Sequence, residues 1–267
     1  MTIQQKKKLS IVSGIAAIIL LCFVFVYSAF VDNTGAPSGD DLQVITSPYI
    51  PKKVNFCGET VPVNYFDVFE SLERELLVNT YYHSQTALYI KKSGRYFPII
   101  EPILARYGVP EDFKYLAVAE SSLMNSVSPA GARGFWQILK GTAEEYGLQV
   151  NSEVDERYNL EKSTEAACRY LLDSYKQYKN WTMAAASYNA GRLSVDGQIT
   201  GQGEEMYYDL LLNDETARYV FRIIAIKLVM ENPDNYGFKI HKNEYYEPHS
   251  YKVVSVSDSI ADLAQFA

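Results

Sequence analysis

Glu111–Trp136 reads EDFKYLAVAESSLMNSVSPAGARGFW, and its centre is Glu120. Glu111 and Asp112 follow Pro110 as an acidic first helical turn, which the positive end of the helix dipole favours. From there Phe113, Leu116, Ala117 and Glu120 fall at i, i+3, i+4 and i+7, one face of an α-helix. Three of the four are apolar and the fourth is a carboxylate. Burying a carboxylate is costly unless it is protonated or hydrogen-bonded. The spacing therefore predicts an acid that holds its proton more tightly than in water, as a general acid must. A glutamate that merely ends a helix, hydrogen-bonded or turned to solvent, has the same spacing, so the stretch alone leaves both readings open.

The remaining 3.6-residue patterns make the chain mainly α. Phe66, Phe69, Leu72, Leu76 and Leu77 mark a long amphipathic helix from Tyr65 to about Lys92, interrupted by Gly94 and Pro98. A further helix spans about Ile99 to Arg106. Ser126–Gly134 is a Gly/Pro loop, and Phe135–Ile138 resumes order. Thr142–Glu145 has capping-box spacing, with Gly147 as the stop. Ala167, Tyr170, Leu171, Ser174 and Tyr178 mark a helix over about Leu160–Lys179. Asn180 caps another, Trp181 to Ala190, closed by Gly191. Gly197–Gly203 reads as a flexible loop. Asn213–Thr216 opens a last long helix through about Met230, which Asn232-Pro233 ends. Beyond Tyr236 the pattern weakens into strand-like pieces. No βαβ rhythm appears.

At 267 residues, 48% hydrophobic and 21% charged, the chain is long enough for one sizeable core. Its first 31 residues hold three lysines and no acid, so the net charge of −7 becomes −10 for the rest. So acidic a body disfavours nucleic acid and anionic membrane surfaces and points to a neutral or zwitterionic substrate. Its 22 Tyr and 12 Phe suit a well-packed interior and can also offer sugar-stacking faces. Cys57 and Cys168 are the one pair able to bridge, and no spacing fixes their distance. Three histidines without cysteine or HExxH companions give no metal site, and no cofactor is implied.

Lys6-Lys7-Lys8 precede Ile11–Val31, 21 uncharged residues, which at about 1.5 Å each span roughly 30 Å of hydrocarbon. The lysines keep the N-terminal side in the cytoplasm and export the rest. A cleavable signal is the competing reading, and the length of the run favours an uncleaved anchor. The expected organisation is an anchor at 1–31, a linker at 32–53, an N-terminal helical extension at 54–96, a catalytic domain at 97–235 and a C-terminal extension at 236–267.

Four separated pieces matter together: Glu120-Ser121, Gly134-Phe135-Trp136-Gln137, Ser187-Tyr188-Asn189-Ala190-Gly191 and Glu215-Thr216-Ala217-Arg218-Tyr219-Val220. In this order they resemble the SLT-type lytic transglycosylases of the lysozyme superfamily, in particular the membrane-bound murein transglycosylase D kind, from about Phe97 to Met230. There a helix ends in Glu-Ser, a loop leads to Gly-Leu-Met-Gln, an Ala-Tyr-Asn piece follows and a Glu-Thr-x-x-Tyr-Val helix comes last.

The resemblance implies a goose-type, lysozyme-like helical domain that cleaves peptidoglycan glycan strands without a cofactor. Glu120 would be the sole acid/base, with Ser121 supporting the turn behind it. Ser128, Gln137, Asn189 and Tyr219 would line the cleft with Ser121, and Tyr188 would hydrogen-bond the catalytic carboxylate. Phe135-Trp136 in place of Leu-Met could alter a sugar subsite, and both Trp136 and Tyr219 read equally as core aromatics. Glycosidases use two carboxylates, whereas the family's substrate supplies its own nucleophile, the C6 hydroxyl of N-acetylmuramic acid. A second acid among Glu144, Asp155 and Glu161 would favour a hydrolytic muramidase. A non-catalytic peptidoglycan-binding protein and an anchored scaffold are the other rivals. Tyr251–Ala264 resembles the first strand and helix of a LysM module. Ser257 stands in place of glycine there, and the chain stops before a second helix and strand, so only a LysM-like start is expected.

Overall fold

A computed structural model describes Leu20, Phe23 and residues 45–251, 254–257, 259, 260 and 262–266. Two compact units, 1–46 and 47–267, divide the chain. The expected anchor lies outside the described residues except for Leu20 and Phe23. Among the described residues no helix is long and apolar enough to cross a membrane. The LysM-like start also falls partly outside them. In its described part there is one short helix, Leu263–Phe266, and no strand.

The second unit begins with a hairpin of β1 (Val54–Phe56) and β2 (Glu59–Val61), Val54 facing Val61 and Phe56 facing Glu59. Its two-residue turn places both Cys57 and Gly58 at positive φ, the geometry that matches strand twist. Among the described residues eight helices follow before the short Leu263–Phe266: α1 (Phe66–Tyr81), α2 (His83–Tyr107), α3 (Lys114–Ser121), α4 (Lys140–Glu145), α5 (Leu160–Tyr178), α6 (Trp181–Ala190), α7 (Arg192–Gln202) and α8 (Asp214–Glu231). The body is thus mainly α. The N-terminal helical extension expected at 54–96 opens with this hairpin ahead of its helices. Val54, Phe56 and Val61 alternate into the core there.

The break between α1 and α2 falls at Tyr82, not at Gly94 or Pro98. Asn79 creates it: its carbonyl accepts from the Thr86 hydroxyl and its side-chain oxygen from the Tyr89 hydroxyl. Burial of Ile90, Ile100, Ile103 and Leu104 carries α2 through Pro98 and Pro102 against the prolines' own preference. Gly94 serves another purpose, since a Cβ there would lie 2.8 Å from the Cβ of Tyr245. Glu111–Phe113 is a 3-10 turn ahead of α3 rather than its first α-turn. Thr142 lies inside α4, whose N-cap is Leu139. The expected loop at Gly197–Gly203 is helix as far as Gln202, held by buried Val195 and by Asp196 accepting from Tyr178 and Gln177. Beyond Tyr236, in place of the strand-like pieces, the described residues form a 3-10 turn, Lys242–Glu244, the short helix Leu263–Phe266 and otherwise irregular chain.

Helix α8 is the central element. Its Val220, Ile223, Ile224, Ala225 and Val229 are fully buried, and α1, α3 and α6 pack on it while α5 packs between α2 and α6. Small side chains at Ala184, Ala185 and Ala186, all 0% exposed, let α6 approach its neighbours closely. The hairpin reaches the same centre. The Glu59 carboxylate accepts from the Trp181 and Thr182 amides and from the Thr182 hydroxyl, at 2.9 and 2.7 Å for Thr182, and so caps α6 together with Asn180.

Candidate active site

Phe113, Leu116 and Ala117 are fully buried, and Glu120, one turn on, is half-buried. The chain then turns sharply, with Ser122 and Leu123 both left-handed at φ 53° and 55°. Leu123 is driven into the core, and the Lys92 ammonium donates to the Ser122 carbonyl at 3.1 Å. Ser121 stabilises this turn, donating to the Ala117 carbonyl at 3.1 Å and accepting from the Met124 amide. It is buried behind Glu120 and does not face the cavity, which corrects its assignment as a substrate contact.

Glu120 opens onto a cavity of about 520 Å³. Ser128 and Gln137 of the 126–138 loop, Thr142 of α4, Tyr170 of α5, Tyr188 and Asn189 of α6, and Glu215 of α8 share its wall, with Tyr146 just past α4. Ser128, Gln137, Tyr188 and Asn189 are therefore gathered around Glu120 as expected. Gln137 sits at φ 47°, and its amide donates to the Ser126 and Gly134 carbonyls, so it shapes the loop as well as facing the cavity. Asn189 is fixed at both ends of its amide. The nitrogen donates to Glu215 at 3.2 Å, and the oxygen accepts from the Thr216 hydroxyl at 2.9 Å.

The two tyrosines exchange their expected places. Tyr188 donates to the Trp136 carbonyl at 2.8 Å and meets the Tyr170 ring edge-on, so its phenol is not the one bonded to Glu120. That phenol is Tyr219, which donates to Glu120 Oε1 from behind. Tyr219 is 2% exposed and lies off the cavity wall, a correction to its expected place in the cleft. Helix α8 packs directly on α3, which brings Tyr219 to the carboxylate. Burial pushes Glu120 up to about 7, offset in part by the Tyr219 hydrogen bond and the Arg222 charge and aided by the Glu215 charge. Burial holds both phenols well above their ordinary range, so each stays protonated.

Phe135 and Trp136 do not enlarge or reshape a subsite. Phe135 packs on Tyr96 with ring centroids 4.7 Å apart, and Trp136 is wholly buried with its indole N–H on the Thr164 hydroxyl. Ser187 is tolerated in place of alanine because its hydroxyl meets Ser174 at 3.0 Å and the Ala184 carbonyl at 2.9 Å. Of the three acids considered as a second carboxylate, Asp155 is paired with Arg157, Glu144 lies 3.7 Å from Lys140, and none faces the cavity. Glu215 does face it. Its presence in the Glu-Thr-x-x-Tyr-Val piece, one turn before Tyr219, was the available signal.

Residues 97–210 match the model of the Transglycosylase SLT domain family. Over that stretch the chain is similar to the SLT-type transglycosylases. Membrane-bound lytic murein transglycosylase D from two strains of Escherichia coli is 26% identical over 178 residues, which cover 64% of this chain and 38% of the relative. The chain thus spans well under half the length of those relatives. A solved structure, the 70 kDa soluble lytic transglycosylase from Escherichia coli, aligns at 21% identity with a TM-score of 0.45, covering 58% of this chain and 27% of that one. The SLT match contains Glu120, Ser128, Gln137, Tyr188 and Asn189, whereas Tyr219 and Glu215 lie beyond it.

Proposed function

We propose that this chain is a peptidoglycan lytic transglycosylase. It cleaves the β-1,4 bond between N-acetylmuramic acid and N-acetylglucosamine and leaves 1,6-anhydro-muramoyl ends. One observation carries the reading: within the stretch that matches the SLT family, a half-buried Glu120 with a proton affinity near 7 faces a cavity and is backed by a neutral phenol. Tyr219 occupies Oε1, so the acid proton belongs on Oε2. Glu120 gives that proton to the glycosidic oxygen as the bond to C1 breaks. The resulting carboxylate then takes the proton of the C6 hydroxyl as O6 closes on C1, and the enzyme returns to its starting state without water. Tyr219 stabilises the carboxylate stage by a hydrogen bond already in place, the preorganised kind of charge stabilisation. Intramolecular attack needs orientation more than a second activated group. Ser128, Gln137 and Asn189 supply the orienting contacts, and Tyr188 holds the loop at Trp136.

The expected organisation belongs to this reading, with the catalytic domain exported and 11–31 as its anchor. The membrane-bound relative supports it. Glu215 favours a second reading, because a carboxylate on the same wall could activate water and make the enzyme a hydrolytic muramidase. Mass spectrometry of products from purified sacculi separates the two. Anhydro-muramoyl ends are expected, and reducing muramic acid ends in their place would establish hydrolysis.

A further inference from the structure

The 126–138 loop supplies a third of the cavity wall yet has little regular structure of its own. Its pairings are isolated bridges of Val127 with Arg133 and of Arg133 with Ile138. Backbone bonds and the Gln137 side chain join it from within, and Arg157, which neither composition nor motif singled out, meets it from outside. The guanidinium is 4% exposed and uses four of its five N–H groups. Nε and Nη2 grip the Asp155 carboxylate at 2.9 and 2.8 Å. Nη1 donates to the Gly131 carbonyl at 3.1 Å and to the Ile138 carbonyl at 3.2 Å, one on each limb of the loop. The backbone fits as closely as the side chain: a Cβ on Gly134, at φ 79°, would lie 2.0 Å from the Arg157 carbonyl oxygen.

We propose that Arg157 is a positioning residue for glycan binding: aligned by Asp155, it ties the two limbs of this loop in the arrangement that turns Ser128 and Gln137 to the cavity. The proposal rests on the glycan reading above. A loop fixed before the substrate arrives pays no ordering entropy on binding, so the tie acts on affinity more than on the chemical step. Lysine cannot replace it, because a point ammonium cannot grip the carboxylate twice and reach both carbonyls.

The test uses the whole chain with Arg157→Lys, and with Asp155→Asn, which keeps the guanidinium but releases its alignment. Hydrogen exchange read without substrate should show faster exchange at the amides of Gly131, Arg133, Gly134 and Ile138, which bond within the loop, with the helices unchanged. On soluble glycan strands KM should rise about tenfold for Arg157→Lys while kcat stays within about twofold, the pattern of lost binding rather than lost chemistry. Asp155→Asn should follow in the same direction with a smaller change. Unchanged loop amides in an active variant would overturn the proposal, as would a fall in kcat at constant KM or faster exchange throughout the domain. Loosened loop amides in a chain whose unmodified form releases nothing from sacculi would overturn the glycan reading and leave the tie intact.

Discussion

Two glutamates, one buried and one half-buried, lie on either side of α8 and meet different side chains of that helix. Glu75 of α1 is 1% exposed and faces Arg218, 2.7 Å away, and Arg222, at 3.7 Å. Glu120 of α3 faces Tyr219, next in sequence to Arg218 but on another side of the helix. A cation compensates a buried negative charge, and the Glu75–Arg218 pair joins α1 to α8. The hydrogen-bond partner of Glu120 is an uncharged phenol, and the Arg222 charge offsets burial only in part, so Glu120 keeps its proton up to about pH 7. The two acids thus differ in partner, a guanidinium at 2.7 Å for one and a phenol for the other.

The largest effect should come from Glu120→Gln, which keeps shape and removes the proton. Release of soluble muropeptides should fall about a thousandfold, the scale of a lost general acid, while sacculus binding persists. Unaltered release would place the chemistry elsewhere. The same change at Glu75 should act on stability instead. Glu75→Gln leaves Arg222 without that anion and Arg218 with only the exposed Asp214, and the urea midpoint should report a loss of about 3 kcal/mol, the low end for breaking a buried pair because both arginines keep some water.

Glu120→Gln should do the reverse and stabilise. The folded-state pKa of Glu120 is raised from 4.5 to about 7, so ionisation opposes folding across that interval. The wild-type protein therefore loses stability as pH rises from about 4.5 through 7, and the loss stays constant above it. The Gln variant should gain roughly 3 kcal/mol at pH 8 and nothing at pH 4. A gain that is the same at both would remove burial as the cause. Tyr219→Phe should have the smallest effect, about a tenfold fall in kcat from one lost hydrogen bond. The phenol lowers the Glu120 pKa, so the alkaline limb of kcat/KM, near pH 7 in the wild type, should move upward. A limb moving down would show that Tyr219 does not stabilise the carboxylate.

The Glu120 helix, the α6 cap and the start of α8 were legible because each rests on local chemistry, and the Asn159 cap of α5, which was not singled out, is of the same kind. Asn159, Asn180 and Asn213 each accept from a first-turn amide of the helix they begin. The gathering of Ser128, Gln137, Tyr188 and Asn189 followed from motif order. Which phenol reaches Glu120 did not, since Tyr188 and Tyr219 both precede it in plausibility and only the packing of α8 on α3 chooses between them. The same holds for the break at Tyr82, set by hydrogen bonds from residues up to ten positions away, and for helix α7, where tertiary contacts override two glycines. The hairpin was visible as Val54, Phe56 and Val61 alternating about Cys57-Gly58, but a three-residue strand is a weak signal.

That hairpin bears on where the working unit begins. The family match starts at residue 97, whereas the carboxylate that closes the first turn of α6 belongs to residue 59. A fragment trimmed to the matched region would leave the Trp181 and Thr182 amides bare at the base of the helix whose far end carries Tyr188 and Asn189. Recombinant versions should therefore be cut ahead of Val54, so that the polypeptide retains the small ribbon that seals its own cavity-lining helix from the opposite end.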